Sequence, residues 1–477
     1  MEKGKFLTPN TQTQGNPDLL LINVPSTFQQ GLIPDDEEPP FGLLRLAVTL
    51  KKEGFNPCIL DAHRGKLSLS DIEDIVYDIR PKFIGLNPAS VNLTEAAEIA
   101  EISATRGIPI IIGGVHPTLS PQQSLKDLPM INVAVRGRGE KPLIELLKNF
   151  KNRPEIRGVY YNPEDKLSQR SDYAEPYPLE NIPPIDYRIW VANPLQTRLV
   201  TFGDRKIQLE EISIYETAGC PFECTYCSTP VLVGRGQGYK PYTRPPTEKI
   251  VRDVSLALET GANAIHFVDD MAFVGPKDFR DFFELWQSQG LPPFYWRGMT
   301  RAPIIAERFT DDDLKLLVES GCWRLAIGVE SGNQQILDRI KKRITLDQVK
   351  KAVERLRKAG IPQVKAFFIM GFPDESLEQM LDTQRFILEL KGLGLTDISL
   401  FQFKPYPGTE EWTYLSRHKP SILEEIRYIK IGNNSKNDTV DHKISTDPAL
   451  PDHLMIAQIP SAEVRELIEQ TLKLFYS

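Results

Sequence analysis

The 477-residue chain predicts an α/β fold in two parts: an N-terminal doubly wound, Rossmann-like domain, then a partial (β/α)6 barrel with a C-terminal helical extension. Three observations predict it. Short apolar runs alternate with amphipathic stretches over residues 17–150. A second alternation, with six strand candidates, fills residues 211–410. At the end of the first of those six strands stands Ala218-Gly219-Cys220-Pro221-Phe222-Glu223-Cys224-Thr225-Tyr226-Cys227-Ser228, with three cysteines at C-x3-C-x2-C spacing.

Composition narrows the class. The length corresponds to roughly three domains. Hydrophobic content of 41% and charged content of 25% are ordinary for a soluble globular protein. A formal net charge of −7 argues against a nucleic-acid surface, which carries a basic excess or stripe. Five cysteines, three of them in one loop, do not make a disulfide framework and suit a reducing, cytoplasmic interior. No run of ~18 apolar residues is present, so no membrane span is expected. The first residues run on into polar Thr and Gln without an apolar core and do not form a signal peptide. Residues 1–16 read as a loosely held tail.

In residues 17–150, Leu19–Val24 is a short apolar run closed by Pro25, as in a buried parallel strand. Further strands are expected near 57–61, 83–87, 108–113 and 133–135. Helices are expected over 38–50, 69–79, 94–106, 121–125 and 140–151. Strands alternating with helices predict a parallel sheet wound on both faces. Its ligands bind beyond the carboxyl ends of the strands, at loops 25–28, 61–65, 88–92, 113–118 and 136–140.

Residues 151–210 are polar and proline-rich and form a linker, in which Val159-Tyr160-Tyr161 has the makings of a small hairpin strand. Proline stiffens such a crossing. Beyond it the six strands are expected at 212–216, 264–268, 294–297, 323–329, 364–370 and 398–403. Thr247 is an expected helix N-cap and Gly360 a helix stop. Function gathers at the carboxyl ends of such strands. Residues 411–477 form the extension, two helical stretches around a polar loop at 432–452. The segment Gly234-Arg235-Gly236-Gln237-Gly238-Tyr239 fits neither G-x-G-x-x-G nor a P-loop and reads as a loop over the cysteines or at the domain interface.

The cysteine loop carries the chemistry. Thiolates are soft ligands that suit iron–sulfur clusters. A 4Fe–4S cluster normally takes four, and this loop offers three, which leaves one iron open to a substrate or cofactor. A structural zinc site needs four protein ligands, and the remaining cysteines, Cys58 and Cys322, are remote in sequence.

Here the chain resembles the radical SAM family, in the branch whose barrel follows a cobalamin-binding domain. Besides Cys220, Cys224 and Cys227, the matching pieces are Phe267-Val268-Asp269-Asp270, Trp296-Arg297-Gly298, Gly328-Val329-Glu330-Ser331, Met370-Gly371-Phe372-Pro373-Asp374-Glu375 and Lys404-Pro405-Tyr406-Pro407-Gly408-Thr409. In the N-terminal part they are Pro39–Ala47, Asp61, Gly113-Gly114-Val115-His116-Pro117-Thr118 and Arg136-Gly137-Arg138-Gly139-Glu140. The resemblance implies a 4Fe–4S cluster, S-adenosyl-L-methionine (SAM) on its open iron, a 5′-deoxyadenosyl radical, and an electron donor such as flavodoxin or ferredoxin. It places Tyr226 and Gly371 against adenine, Asp269 and Asp270 by the methionyl amine, and Glu330 and Ser331 by the ribose or carboxylate. The Asp pair has a second reading as a cap, and Arg297 either meets a carboxylate of the cofactor or closes a salt bridge.

The same resemblance implies cobalamin in the N-terminal domain. Gly113 and Gly114 let backbone approach a flat macrocycle, Ser90 serves the nucleotide tail, and Gly137 and Glu140 line the last loop. The motif D-x-H-x-x-G is incomplete, because Lys66 stands at its glycine position after Asp61 and His63. His63 is therefore read as an exposed loop residue and not an axial ligand. Two functions follow: a cobalamin-dependent methyltransferase acting on an unactivated carbon of a small natural-product or lipid-like molecule, or a radical dehydration, epimerisation or rearrangement with the N-terminal domain as scaffold. A non-catalytic binding module is the third and weakest reading.

Overall fold

Leu19–Asn23 (β1), Pro57–Asp61 (β2), Ile84–Leu86 (β3), Ile110–Ile112 (β4) and Val133–Val135 (β5) pair in parallel in the order β2-β1-β3-β4-β5. Helices flank both faces, so residues of both orientations in β1, β3 and β4 are buried, which is why these strands read as continuous apolar runs and not as alternations. Helix Leu69–Ile79 starts where a capping box sets it: Ser68 Oγ accepts from the Asp71 backbone N–H, and Asp71 accepts from that of Ser68. The strand order reverses between β1 and β3, which opens the ligand crevice of a doubly wound sheet at their carboxyl ends. Val159–Tyr161 (β6) joins this sheet antiparallel to β5. All three of its residues are buried, so the unit extends past residue 150, into the segment read as linker.

The computed structural model describes residues 16–25, 38–162, 172–190, 194–202, 205–426 and 450–477. The expected tail at 1–16, the loop at 25–28 and the polar loop at 432–452 lie mostly outside the described residues.

Gln196–Phe202 (β7) pairs antiparallel with Arg205–Ile214 (β8). The linker reading of 196–210 is corrected by this pairing: prolines upstream drew attention away from an alternating strand pattern. Ala218–Gly219 (β9) and Tyr242–Thr243 (β10) form a two-stranded ribbon around the start of the cysteine loop. Ala264–Phe267 (β11), Tyr295–Thr300 (β12), Cys322–Glu330 (β13), Gln363–Met370 (β14) and Asp397–Gln402 (β15) complete a seven-stranded sheet in the order β15-β14-β13-β12-β11-β8-β7. Its strands from β8 to β15 are all parallel. This is the expected partial barrel, with one antiparallel edge strand added.

Gly360 ends helix Leu346–Ala359 at φ +100°, a conformation that favours glycine. Thr247 proves to be the first residue of its helix and not the cap, which is Pro246. The C-terminal helix Ser461–Tyr476 is fastened to β15: Tyr476 Oη accepts from Ile398 N at 3.2 Å and donates to Asp397 Oδ1 at 2.6 Å. The described chain divides into two units. One takes the residues up to Pro194 with Val231–Pro241; the other takes Leu195–Pro230, Tyr242–Ile426 and the C-terminal helix. The glycine-rich segment belongs to the first, where Tyr239 Oη donates to Tyr173 O at 3.0 Å.

Candidate active site

The cysteine loop is held by the residue that follows Cys224. Thr225 is buried. Its N–H donates to Ile340 O at 3.0 Å, and its hydroxyl donates to Glu411 Oε1 at 2.7 Å. Glu411 N returns a bond to Thr225 O at 3.3 Å, and Cys227 N closes a turn onto Cys224 O at 3.2 Å. Cys220, Cys224 and Cys227 are half-buried, and none is in a disulfide. Burial raises the Cys220 thiol and pushes Cys227 up to about 11, so iron ligation releases protons here. Among the described residues no three His, Cys, Asp or Glu side chains converge as a single-ion site. A cubane takes one thiolate per corner and does not require that convergence, so the soft donor set fits a cluster.

The strand ends divide the expected cofactor residues. Asp269 turns inward: its Oδ1 accepts from Glu216 N at 2.8 Å, from Thr217 N, and from Thr217 Oγ1 at 2.7 Å. It pins the turn from β8 into the cysteine loop, upstream in sequence, and not the segment that follows the Asp pair. Asp270 is the member left toward the cysteines. Burial and then Asp269 raise its carboxyl, against a hydrogen bond from Thr229, and its charge is felt at both Cys220 and Cys227.

Arg297 is corrected from a cofactor ligand to half of a buried ion pair. Its Nε donates to Glu211 Oε2 at 2.9 Å and its Nη2 to Glu211 Oε1 at 2.8 Å, while Arg198 Nε reaches the same Oε1 at 2.6 Å. Its fork already holds a carboxylate. Arg324 likewise pairs with Asp397. Ser331 is fully buried and turned to the helix Leu377–Gly392. Its hydroxyl lies 3.2 Å from Thr383 Oγ1 and accepts from Asn333 N at 3.1 Å.

Glu330 is the strained residue at this end of the sheet. The β13–β14 register slips between Gly328 and Glu330, and Glu330 takes φ +77°. A bulge and a left-handed non-glycine re-aim a side chain, at a cost of about 1–3 kcal/mol. Lys342 Nζ donates to Glu330 Oε1 at 2.6 Å, with both side chains buried. A Cβ on Gly328 would fall 2.8 Å from both partner atoms. Tyr226, half-buried and hydrogen-bonded to Glu330, has its phenol held well above its usual range by burial first and then by Glu330. Its ring meets Phe372 edge-on at 5.7 Å.

Sequence reasoning missed Lys342. It sits in Lys341-Lys342-Arg343, which reads as a solvated charge run. Both flanking residues take φ +53°, and the alternation sends Lys341 to Glu410, Arg343 to Glu223 and Lys342 inward. Glu211 and Glu411 were also missed, since nothing local marks a carboxylate that will be buried by distant partners.

Gly371 has φ +88°, and a Cβ there would lie 3.1 Å from Val464 of the C-terminal helix. Its N–H and that of Phe372 donate to Glu375 Oε2 at 2.7 and 3.0 Å. Glu375 is fully buried, and its Oε1 has no hydrogen-bond partner among the described residues. Burial pushes its carboxyl up to about 7, against the two N–H donors and Arg339. A folded pKa above the unfolded value gives stability that is complete below the unfolded pKa, near pH 4.5, and lost as pH rises through about 7. Glu375→Gln is expected to abolish that decline, which is on the order of 3 kcal/mol. Denaturant midpoints of the two proteins from pH 5 to 8 check this, and parallel profiles would refute it.

In the first unit, Asn23 Nδ2 donates to Asp61 Oδ1 at 2.8 Å and Asn87 Nδ2 to Asn23 Oδ1 at 3.3 Å, which ties together the carboxyl ends of β1, β2 and β3. Trp190 Nε1 donates to Asp61 Oδ2 at 2.5 Å. Gly114, at φ +89°, lies against Asn87, 3.4 Å from a Cβ. Gly113 has the backbone open except for Val135. Residues 115–119, expected as loop, form a helical turn. It carries His116, whose Nδ1 is 2.8 Å from Ser90 Oγ. Burial pushes His116 down to about 4, so it is neutral, and its Nε2 is buried without a partner among the described residues. Gly137, at φ +94°, donates its N–H to Thr118 Oγ1 at 3.1 Å.

Glu140 accepts from Arg138 Nη2 at 3.0 Å. Burial opposes its ionisation, but Arg138 and Arg45 hold it below the usual range. Its Oε2 is also buried and unpartnered. Among the described residues these two buried polar atoms after β4 and β5 have no partner, whereas buried polar groups are normally paired. A corrinoid, with its amide-bearing rim and nucleotide tail, carries donors and acceptors, so these residues fit it. His63 is half-buried in the turn after β2, and Lys66 takes φ +48°, the conformation its missing glycine would favour.

With this geometry in view, the comparisons agree on the class. Residues 214–387 match the radical SAM superfamily and residues 34–147 the B12 binding domain. These matches give the chain a radical SAM domain and, before it, a B12-binding domain, the domains of a radical SAM enzyme whose cofactors are a 4Fe–4S cluster, SAM and cobalamin. It is 28% identical over 406 residues to the uncharacterized methyltransferase PH0819 of Pyrococcus horikoshii, covering 83% of this chain and 82% of that one. It is 25% identical over 362 residues to the anaerobic magnesium-protoporphyrin IX monomethyl ester cyclase of Cereibacter sphaeroides, covering 73% of this chain but 56% of the cyclase. The fold is that of OxsB, a cobalamin-dependent SAM radical enzyme, with a TM-score of 0.62 at 20% identity, over 85% of this chain and 56% of OxsB. No helix among the described residues is long and apolar enough to cross a membrane.

Proposed function

We propose that the protein is a cobalamin-dependent radical SAM methyltransferase that acts on an unactivated carbon of a small natural-product or lipid-like substrate. The observation that carries this reading is one chain holding both a three-cysteine loop and a Rossmann-like crevice with two orphaned polar atoms, His116 Nε2 and Glu140 Oε2. Likeness to a methyltransferase over most of both chains supports it. When bound, the cluster with SAM supplies a 5′-deoxyadenosyl radical and cobalamin supplies the methyl group.

The chain's own residues then have distinct tasks. Cys220, Cys224 and Cys227 ligate three irons. Asp270, beside the cysteines, receives the methionyl amine, and Glu330, aimed by its bulge and held by Lys342, receives ribose hydroxyls. Tyr226 and Phe372 present an apolar, edge-to-face pair to adenine. Asp269, Arg297 and Ser331 hold the frame and touch no cofactor. On the corrinoid side Gly113 and Gly114 give close backbone approach, while Ser90 fixes the His116 ring and Glu140 accepts from amide donors. Electrons come from a low-potential protein of the flavodoxin or ferredoxin kind.

Mass spectrometry of SAM products tests the reading. The protein is reconstituted anaerobically with iron and sulfide, then given reductant, hydroxocobalamin and candidate substrates. S-adenosylhomocysteine and 5′-deoxyadenosine, formed in step with a product heavier by one methylene, are expected. The second reading is a radical rearrangement or ring closure without methyl transfer, favoured by the likeness to the cyclase. It is supported instead if deoxyadenosine forms alone and cobalamin changes nothing.

A further inference from the structure

A buried arginine stands against the cysteine loop, and the cofactor assignments above leave it out. Arg301 follows the carboxyl end of β12 and is 6% exposed. Its Nη1 donates to Cys224 Sγ at 3.7 Å. Its guanidinium lies over the Phe222 ring, 3.7 Å from the centroid. Its Nη2 donates to the carbonyl of Lys342, the residue whose ammonium holds Glu330. Three anchors thus fix one cation between the loop, the end of β12 and the turn that positions Glu330.

We propose that Arg301 is a positioning residue that sets the reduction potential of the cluster through Cys224. This deepens the cluster assignment and does not depend on methyl transfer or on the substrate. A cluster gains negative charge on reduction, and that charge spreads onto its thiolate sulfurs. A donor hydrogen bond and a fixed positive charge at one sulfur stabilise the reduced form more than the oxidised form, which raises the potential. Burial keeps water from screening the interaction. Arginine suits the place because its fork serves the sulfur and a carbonyl at once while its flat face rests on Phe222. A lysine keeps the charge but lacks the planar fork that spans sulfur and carbonyl and the flat face that rests on Phe222.

The test is potentiometric titration of the reconstituted cluster followed by electron paramagnetic resonance, with iron and sulfide content measured on each sample. Arg301→Met is expected to lower the midpoint, so that at the parent's midpoint the reduced-to-oxidised ratio falls about tenfold, or about 59 mV for a one-electron couple. Arg301→Lys is expected to fall in the same direction by less. A Met variant with full cluster content and an unshifted or raised midpoint would overturn the proposal. Loss of the cluster from both variants would also overturn it, since Arg301 would then be a folding element of the loop. Because the readout is the potential of the cluster, a failed search for methylated product leaves this result intact.

Discussion

Cys224→Ala is expected to leave a folded protein that no longer assembles its cluster. Its formation of 5′-deoxyadenosine should fall by more than about 100-fold, the upper end for changes outside the ligand shell. The argument is one of ligand count. On the proposed ligation three thiolates hold the cluster, and removal of the middle one leaves two, on opposite sides of the Thr225 anchor. The apoprotein should tolerate the change, because the thiol is half-buried and the loop is held by Thr225 through Ile340 and Glu411. Iron and sulfide analysis, circular dichroism and product assay together check this. Cys322→Ala is the control: that thiol is buried in β13 and burial holds it protonated, so cluster content should not change. A Cys224→Ala protein with full cluster content would remove the loop from the centre of this enzyme.

The second large effect is on stability. Glu211→Ala is expected to destabilise the barrel unit by about 3–5 kcal/mol, the cost of breaking a buried ion pair from one side. Glu211 is fully buried and neutralises Arg297 through two bonds and Arg198 through another. Its loss leaves Arg297, 6% exposed, as an uncompensated charge among β8, β11 and β12. The double variant Glu211→Leu/Arg297→Met removes both charges and should recover most of the loss, since apolar replacement of a buried pair is often neutral. Denaturant midpoints of the barrel transition measure both. SAM binding by equilibrium dialysis adds a separate check: if Arg297 only holds the frame, the double variant binds SAM as the parent does. A loss of SAM affinity in a well-folded double variant would return Arg297 to the cofactor site.

Much of this was legible from local signals. A strand buried on both faces is an unbroken apolar run, so β1, β3 and β4 could be read directly. The cysteine loop was legible because its three cysteines lie within one turn-rich segment, and their spacing is a sequence property. The stop at Gly360 was legible because a left-handed helix end favours glycine. What failed failed for physical reasons. The edge strand β7 was read as linker, and β6 was expected as a small hairpin strand within that linker and not as the edge of the first sheet, because prolines nearby look like a crossing while strand pairing depends on a partner elsewhere. The Asp269-Asp270 pair looked alike in sequence, yet a strand end turns successive side chains in different directions, so one caps the loop and the other faces the cysteines.

The sequence by itself determined the class of chemistry: the spacing of three cysteines in one loop and the strand periods that build two α/β units. The tertiary structure decided which charged residues are framework and which are site. Arg297 meets Glu211 across an intervening strand, Lys342 reaches Glu330 from a turn with two left-handed residues, and Arg301 reaches Cys224 from 77 residues away. A charge takes its role from the partner that desolvation forces upon it, and that partner is chosen by the packing of distant segments.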